Sequence, residues 1–372
     1  MRRWDDPAPD ERAAGDRSWE VVREAYEERI RVPRKRDRRP LAIAAAAAVV
    51  VAGAVTPPGH AVLGSLRDAV RGEQNASPAL VSLPIPHSRL LVNSAAGAWV
   101  VQSDGSKRLL RGYHDPSWSP HGIYVAAVRG HELRALEPNG AVHWSIGRTG
   151  TIRNPRWSFD GFRIAYFAGP TLRVINGDGT QDRVLTRDAR PGVSAWQPAS
   201  HALAYVNAGG NIVVRDADRP THFAVIRTRP TPRQLQWTSD GRLLVAVGSH
   251  TIGIFAPRGP QLRRIDTGAA TIAASSVSPD GKSVAFIEAG PDQSSLQITG
   301  TDAGGPTREI FKGAGIFTNV VWSPDGRVLL LDWSSAQQWL FIHSVPVKRI
   351  AAVSNIRASF GKEPSLVGWC CP

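Results

Sequence analysis

The chain has 372 residues, enough for one large or two ordinary domains, and it is rich in glycine and proline with a single methionine. That composition favours many short strands joined by tight turns over long helices. The formal net charge of +13 rests on arginine, since only six of the 45 basic residues are lysine. It favours anionic partners in general, and on basicity alone we do not expect nucleic acid to be one of them. The adjacent Cys370 and Cys371 cannot join distant parts of the fold, which excludes a disulfide scaffold.

Residues 1–40 are predicted to form a cytoplasmic segment with one short amphipathic helix. Within residues 16–29, Trp19, Val22 and Tyr26 recur at helical spacing, and Pro33 ends the pattern. A basic run at residues 34–39 precedes an apolar stretch. Positive charge on that flank favours the cytoplasmic side, so the bulk of the chain is expected outside the cytoplasm.

Residues 41–58 are predicted to be a transmembrane segment that crosses the membrane once. Residues 41–55 carry no charge, and as a helix they reach about 22 Å, which residues 56–58 extend towards a minimal span. The alternative is a cleaved signal peptide, because Ala52 and Ala54 flank a glycine at cleavage-site spacing. Cleavage near Ala54 would release a secreted or periplasmic protein. The long segment before the apolar run favours the anchor.

Residues 59–87 are predicted to connect this segment to the remaining chain. Residues 61–71 have the pattern of a short amphipathic juxtamembrane helix, and residues 72–87 contain three prolines, as a linker would.

From residue 88 onward one motif repeats along the chain. An anchor residue is followed by a turn of the type Ser-Pro-Asp-Gly, in which proline presets φ, aspartate bonds the local backbone and glycine accepts positive φ. The anchors are Trp118, Trp157, Trp196, Trp237, Val277, Trp322 and Trp369. Successive anchors are 39, 39, 41, 40, 45 and 47 residues apart, a period typical of one four-stranded propeller blade.

The two ends of this region complement each other. Residues 90–110 resemble the second to fourth strands of a blade, whereas residues 365–369 resemble an inner strand alone. Pairing the two would close a ring and remove both exposed edges. The sequence therefore predicts an all-β fold over residues 88–372, a seven-bladed β-propeller closed by N- and C-terminal strands that share one blade. Six or eight blades are also compatible, because the two longest intervals could contain an irregular element.

The repeated tryptophan and Ser-Pro-Asp-Gly motif resembles the WD40-like repeats of the TolB family of bacterial extracytoplasmic propellers. Five good copies and two poorer ones cover about three-quarters of the chain. The resemblance implies a propeller that binds or scaffolds other components of the bacterial envelope, here joined to a membrane anchor.

Residues that could carry chemistry are mostly explained by turns. Asp160, Asp240, Asp280 and Asp325 each follow an anchor, so a turn-forming role accounts for them. Residues 176–182 have oxygen-bearing side chains at every second position, as a calcium loop would, but other repeats place a hairpin turn there. The histidines and cysteines show no zinc-binding spacing. We therefore predict no catalytic residue, no metal and no cofactor.

Arginine is concentrated in the loops that lead into the inner strands of the second to fifth repeats. These residues are Arg111, Arg148, Arg153, Arg156, Arg187, Arg190, Arg229 and Arg233, against Asp115 and Asp188 alone. Such loops share one face of a propeller, so a basic half-rim is predicted, with an ordinary solvated surface as the alternative. The candidate binding residues are Arg153, Arg156, Arg190, Arg233 and His114.

The function predicted from these features is a non-enzymatic, membrane-tethered extracytoplasmic binding module for an envelope protein or an anionic lipid or polymer. One alternative is a lyase- or lactonase-like enzyme with its site in the channel, for which His114, Asp115 and Asn154 are the suggestive residues. Another is a transmembrane sensor that signals through the N-terminal helix.

Overall fold

The computed structural model describes residues 83–371 except 220, 303–304 and 344–348, together with the backbone of residues 49–51. The predicted helices at residues 16–29 and 61–71 lie outside these residues, as does most of the predicted transmembrane segment at 41–58. No helix within the described residues is both long and apolar enough to cross a membrane.

The described chain forms a seven-bladed all-β propeller, because its strands group into seven antiparallel sheets with four strands contributed by the repeats. A short strand, β1 (Val49–Val51), precedes them. From the inside outward, blade 1 contains β29 (Ser365–Cys370), β2 (Arg89–Ser94), β3 (Gly97–Gln102) and β4 (Lys107–Arg111), and blade 2 contains β5 (His114–Trp118), β6 (Val125–Arg129), β7 (Glu132–Leu136) and β8 (Val142–Gly147).

The next three blades follow the same order. Blade 3 contains β9 (Ile152–Trp157), β10 (Arg163–Ala168), β11 (Thr171–Asn176) and β12 (Arg183–Thr186). Blade 4 contains β13 (Ala189–Trp196), β14 (Ala202–Asn207), β15 (Ile212–Asp216) and β16 (Phe223–Ile226). Blade 5 contains β17 (Gln234–Trp237), β18 (Leu244–Val247), β19 (Thr251–Phe255) and β20 (Gln261–Asp266).

Blade 6 contains β21 (Thr271–Val277), β22 (Ser283–Ala289), β23 (Gln293–Gly300) and β24 (Arg308–Ala314). Blade 7 contains β25 (Asn319–Trp322), β26 (Val328–Trp333), β27 (Gln338–His343) and β28 (Arg349–Val353). Strand β1 lies antiparallel to β28, with Val50 opposite Ile350, so that three residues of the predicted membrane segment pair with the outer edge of blade 7.

The second strand is deeply buried in most blades. In β18 and β26 every residue is buried, and in β14 all but the last are. A blade packs against a neighbour on both faces, so its central strands need apolar side chains in both directions. This explains the nearly continuous apolar runs after each turn, and the core consists of a series of apolar layers between successive blades.

The closing strand pairs as the sequence predicts. Strand β29 lies antiparallel to β2, with Leu90 opposite Trp369 and Asn93 opposite Ser365. The longest interval between anchors contains a short helix, α1 (Ile356–Phe360), and a single 3-10 turn, rather than another blade. The ring of Phe360 stacks on Trp339 at 4.9 Å between centroids. Seven blades are therefore confirmed, and the six- and eight-bladed alternatives are wrong.

The two faces of the propeller differ in their connections. We call the face with the blade-to-blade connections the loop face, and the opposite face, with the Ser-Pro-Asp-Gly turns, the turn face. The chain reaches the propeller on the turn face, because the Leu83 amide donates to the Ser103 carbonyl at 3.1 Å and Ser103 lies in the turn between β3 and β4. Inner strands run from the loop face to the turn face.

Candidate functional site

The repeated aspartates hold the turns together. Asp160 Oδ1 accepts hydrogen bonds from the Ser158 hydroxyl at 2.5 Å and from the Phe162 amide at 3.0 Å. Asp240, Asp280 and Asp325 make the same pair of contacts in their own turns. Gly161 has a φ of 76°, as the turn requires. The turn-forming role predicted for these carboxylates is therefore observed.

The calcium-like sequence at residues 176–182 is a hairpin turn. Asp178 Oδ1 accepts from the Thr180 amide at 2.9 Å and from its hydroxyl at 2.7 Å. Across the described part of the chain, no three histidine, cysteine or acidic side chains come close enough together to hold a metal ion. Cys370 and Cys371, at the end of the closing strand, are joined to each other.

Several tryptophan anchors join one inner strand to the previous one. The indole N–H groups of Trp196, Trp237 and Trp322 donate to the carbonyls of residues 156, 195 and 276 at 2.9–3.1 Å. Each of those carbonyls belongs to the residue immediately before the preceding anchor. The indole N–H groups of Trp118, Trp157 and Trp369 are buried with no hydrogen-bond partner among the described residues.

Val277 is the one anchor without an indole, and here a glutamine side chain joins the two neighbouring inner strands instead. Gln236 Nε2 donates to the Ser275 carbonyl, and its Oε1 accepts from the Val277 amide, both at 2.8 Å. The seven anchors therefore lie at the turn-face ends of the inner strands, where the contacts they make join neighbouring blades.

The inner strands of all seven blades enclose a central cavity of about 690 Å³. Its polar lining consists of two arginines, two glutamines, four serines and one asparagine, mixed with apolar and tryptophan side chains. Among the described residues, the lining contains no acidic side chain and no histidine. A cavity of this size is in the range that holds small molecules.

The structure divides the predicted arginines between this cavity and the loop face. Arg156 and Arg233 line the cavity. Arg153 and Arg190 are exposed near the loop-face ends of β9 and β13, and His114 is exposed at the start of β5. The same face carries exposed Arg111 at the end of β4 and exposed Arg187 and Arg229 after β12 and β16.

Arg148 does not belong to this exposed set. Its guanidinium forms an ion pair with Asp182 and donates to the Tyr166 hydroxyl at 3.2 Å, so it lies between blades 2 and 3. Arg233 is also engaged, because it donates to the Ile272 carbonyl at 2.7 Å. By contrast, Arg111, Arg153, Arg187 and Arg190 form no ion pair within the described structure.

Arg156 has few contacts for a half-buried charge. Among the described residues, its side chain donates only to the neighbouring Pro155 carbonyl, at 3.3 Å. Burial lowers the pKa of Arg156, and the charge of Asp115 partly offsets this effect. The Asp115 carboxylate instead accepts a hydrogen bond of 3.4 Å from the backbone amide of Asn154. Asp115, Asn154 and Arg156 are thus close together, and of these three residues Arg156 lines the cavity.

Sequence reasoning missed the cavity position of Arg156. Strand β9 has a register irregularity between Arg153 and Arg156, where Asn154 adopts a φ of 50° before Pro155. Such a bulge changes the side towards which later side chains point. A signal was available, because Asp-Pro and Asn-Pro occupy the equivalent place at residues 115–116 and 154–155, three and two residues before their anchors.

Comparison with known proteins gives the fold class. No protein-family model and no curated protein matches the chain. Its fold is similar to the β-propeller domain of Cps50 (Swd1) from Myceliophteria thermophila, at 13% identity and a TM-score of 0.54 over 74% of this chain and 99% of that one. It is also similar to Hsv2 from Kluyvelomyces marxianus, at 12% identity and a TM-score of 0.50 over 68% and 90% of the two chains. The chain is thus a seven-bladed propeller with WD40-like structural neighbours.

Proposed function

We propose that the protein is a non-enzymatic, membrane-tethered binding module whose propeller lies outside the cytoplasm and binds an anionic partner on its loop face. The observation that carries this proposal is a group of four exposed loop-face arginines that form no ion pair within the described residues, Arg111, Arg153, Arg187 and Arg190. We call these four residues the arginine patch.

The charge pattern of the adjoining blades supports a binding role for the patch. Arg163 and Arg183 both pair with Asp218, and Arg173 pairs with Asp182. Arg163, Arg173 and Arg183 are therefore neutralised by carboxylates, whereas the arginines of the patch form no ion pair with the described residues. Guanidinium groups suit bidentate contacts with phosphate or carboxylate, and several on one face create a positive potential that attracts anions.

The distribution of the patch over several blades favours one kind of anionic partner. Arg111 ends β4, Arg153 lies in β9, Arg187 follows β12 and Arg190 lies near the start of β13. An acidic protein or an extended anionic polymer can contact several of these positions at once. Tethering raises the effective concentration near such a partner, so that several weak contacts suffice.

The structural neighbours and the repeat motif support the same proposal. WD40-like propellers suggest protein interaction, and the TolB-like motif suggests the bacterial envelope as the place where it occurs. The basic run at residues 34–39 supports an orientation with the N-terminus in the cytoplasm.

The test compares matched sets of arginine substitutions in the full-length protein in detergent. Replacing Arg111, Arg153, Arg187 and Arg190 by serine is expected to weaken binding to long-chain polyphosphate at least tenfold and to flatten its salt dependence, because charge contacts between exposed groups are screened by salt. Fluorescence anisotropy at 50 and 300 mM NaCl, with labelled polymer, measures both effects.

The control variant removes the same charge from the turn face. Its serine substitutions are at the exposed residues Arg219, Arg242, Arg258 and Arg327. It is expected to bind almost as the unmodified protein does. Equal losses in the two variants would show that net charge, and not the arginine patch, is responsible, and the proposal would then be abandoned.

A further inference from the structure

The central cavity has a chemistry distinct from that of the arginine patch. It is enclosed by all seven inner strands, and its two charged lining residues among those described, Arg156 and Arg233, are both cationic. The remaining polar groups are neutral amides and hydroxyls. A lining of this kind favours a small molecule that carries one negatively charged group and otherwise has polar, uncharged groups.

The two cavity arginines differ in what they already bind. Arg233 donates to the Ile272 carbonyl at 2.7 Å and bridges blades 5 and 6. Arg156 makes one bond of 3.3 Å to the carbonyl of its own neighbour, although a guanidinium has five N–H donors. No carboxylate oxygen of the described residues lies within ion-pairing distance of Arg156, since Asp115 is directed to the Asn154 amide.

A half-buried cation with unused donors is unfavourable unless something compensates it. Ser194 lies on the inner strand of the next blade and lines the same cavity. Its hydroxyl is buried and has no hydrogen-bond partner among the described residues. In contrast, the amides of Gln234 and Gln236 are bonded to Ser275. Among the described lining residues, the groups with unused hydrogen-bonding capacity thus include the Arg156 guanidinium and the Ser194 hydroxyl on adjacent blades, together with the indole N–H groups of Trp118 and Trp369.

We propose that the central cavity binds a small molecule carrying a carboxylate or phosphate group. The Arg156 guanidinium is the main partner of the anion, and Ser194 is a second donor once its hydroxyl rotates towards the cavity. This site is separate from the arginine patch and requires a ligand small enough to enter about 690 Å³. A planar, forked guanidinium suits such oxyanions because it can donate two parallel hydrogen bonds to them.

The experiment uses citrate and inorganic phosphate as probes with the full-length protein, at an ionic strength held constant with KCl. At least one probe is expected to raise the melting temperature in a saturable manner and to give a binding isotherm by calorimetry. Arg156→Met is expected to abolish both effects, while Arg258→Met, at an exposed turn, keeps them. Absence of any response to either probe, or an unchanged response of Arg156→Met, would overturn the proposal.

Two milder variants cover the case in which Arg156→Met does not fold. Arg156→Lys keeps the charge but loses the forked geometry, and it is expected to weaken probe binding about tenfold. Ser194→Ala removes the second donor and is expected to weaken it severalfold. Binding unchanged in both variants would also overturn the proposal. The arginine-patch variant keeps Arg156 and Ser194, so its response to citrate separates failure of this site from failure of the loop-face site.

Discussion

At the scale of single residues, Asp332 has unfavourable surroundings for a charge. It is 4% exposed on β26, and its carboxylate accepts one bond of 3.0 Å from the Thr318 hydroxyl. Burial raises the pKa of Asp332 to about 6, and the Thr318 bond only partly counteracts it. The folded protein therefore holds this proton more tightly than the unfolded chain, whose carboxyl has a pKa near 3.8.

Asp332→Asn is expected to stabilise the protein at pH 7.5. A pKa raised on folding contributes stability below pH 3.8 that is lost as the pH rises to about 6. The shift corresponds to about 3 kcal/mol at most, so we expect a gain of about 2 kcal/mol in unfolding free energy at pH 7.5. Urea denaturation at pH 7.5 and 4.5 checks this. A gain equal at both pH values would show that ionisation of Asp332 is not its cause.

At the scale of the elements, one ion cluster joins blades 2 and 3. The carboxylate of Asp182 pairs with Arg148, which follows β8, and with Arg173 of β11, and it accepts from the Tyr166 hydroxyl at 2.8 Å. Burial alone would raise the pKa of Asp182, but the hydrogen bonds from Arg173, Tyr166 and Arg148 outweigh it and keep the pKa below its usual range.

Asp182→Asn is expected to weaken the contact between these blades. It leaves two guanidinium groups close together without a counter-charge, which we expect to cost about 2 kcal/mol of unfolding free energy. Because the pKa of Asp182 is lowered on folding, this contribution is present above pH 3.8 and is lost as the pH falls. The control is Asp266→Asn, which breaks an exposed pair with Arg264. Equal unfolding midpoints for the two variants would contradict a structural role for the cluster.

The blades themselves could be predicted from the sequence, whereas this cluster could not. The repeated anchors and turns make the fold predictable, because each copy specifies the same local geometry within one short, continuous stretch of sequence. The pairing of Arg148 with Asp182 depends instead on how two blades pack, which no local pattern records. The same reason applies to Arg156, whose place in the cavity depends on an irregularity in β9. The sequence thus predicted the arginine-rich region but not its division into exposed, paired and cavity residues.

At the scale of the whole molecule, ring closure depends on β29. Removing residues 364–372 leaves β2 as an unpaired edge and uncovers Leu90 and Val92, which are fully buried in the intact ring. We expect the truncated protein to unfold with low cooperativity or to aggregate. Placing residues 364–371 directly before residue 88, through a short glycine linker, restores the usual strand order of a blade. This variant is expected to recover cooperative thermal unfolding, measured by circular dichroism. A truncated protein that melts as the complete one does would contradict the closure described above.

Closure by β29 also determines when the molecule can be completed during biosynthesis. Strand β2 ends at Ser94 and its partner begins at Ser365, so the two are synthesised far apart in time. At ordinary rates of translation the interval is on the order of tens of seconds. Blades 2 to 7 can form one after another as the nascent chain emerges, but blade 1 must wait until β29 has left the ribosome. The ring therefore closes only after β29 has been synthesised, and until then β2 requires protection from other unpaired strands.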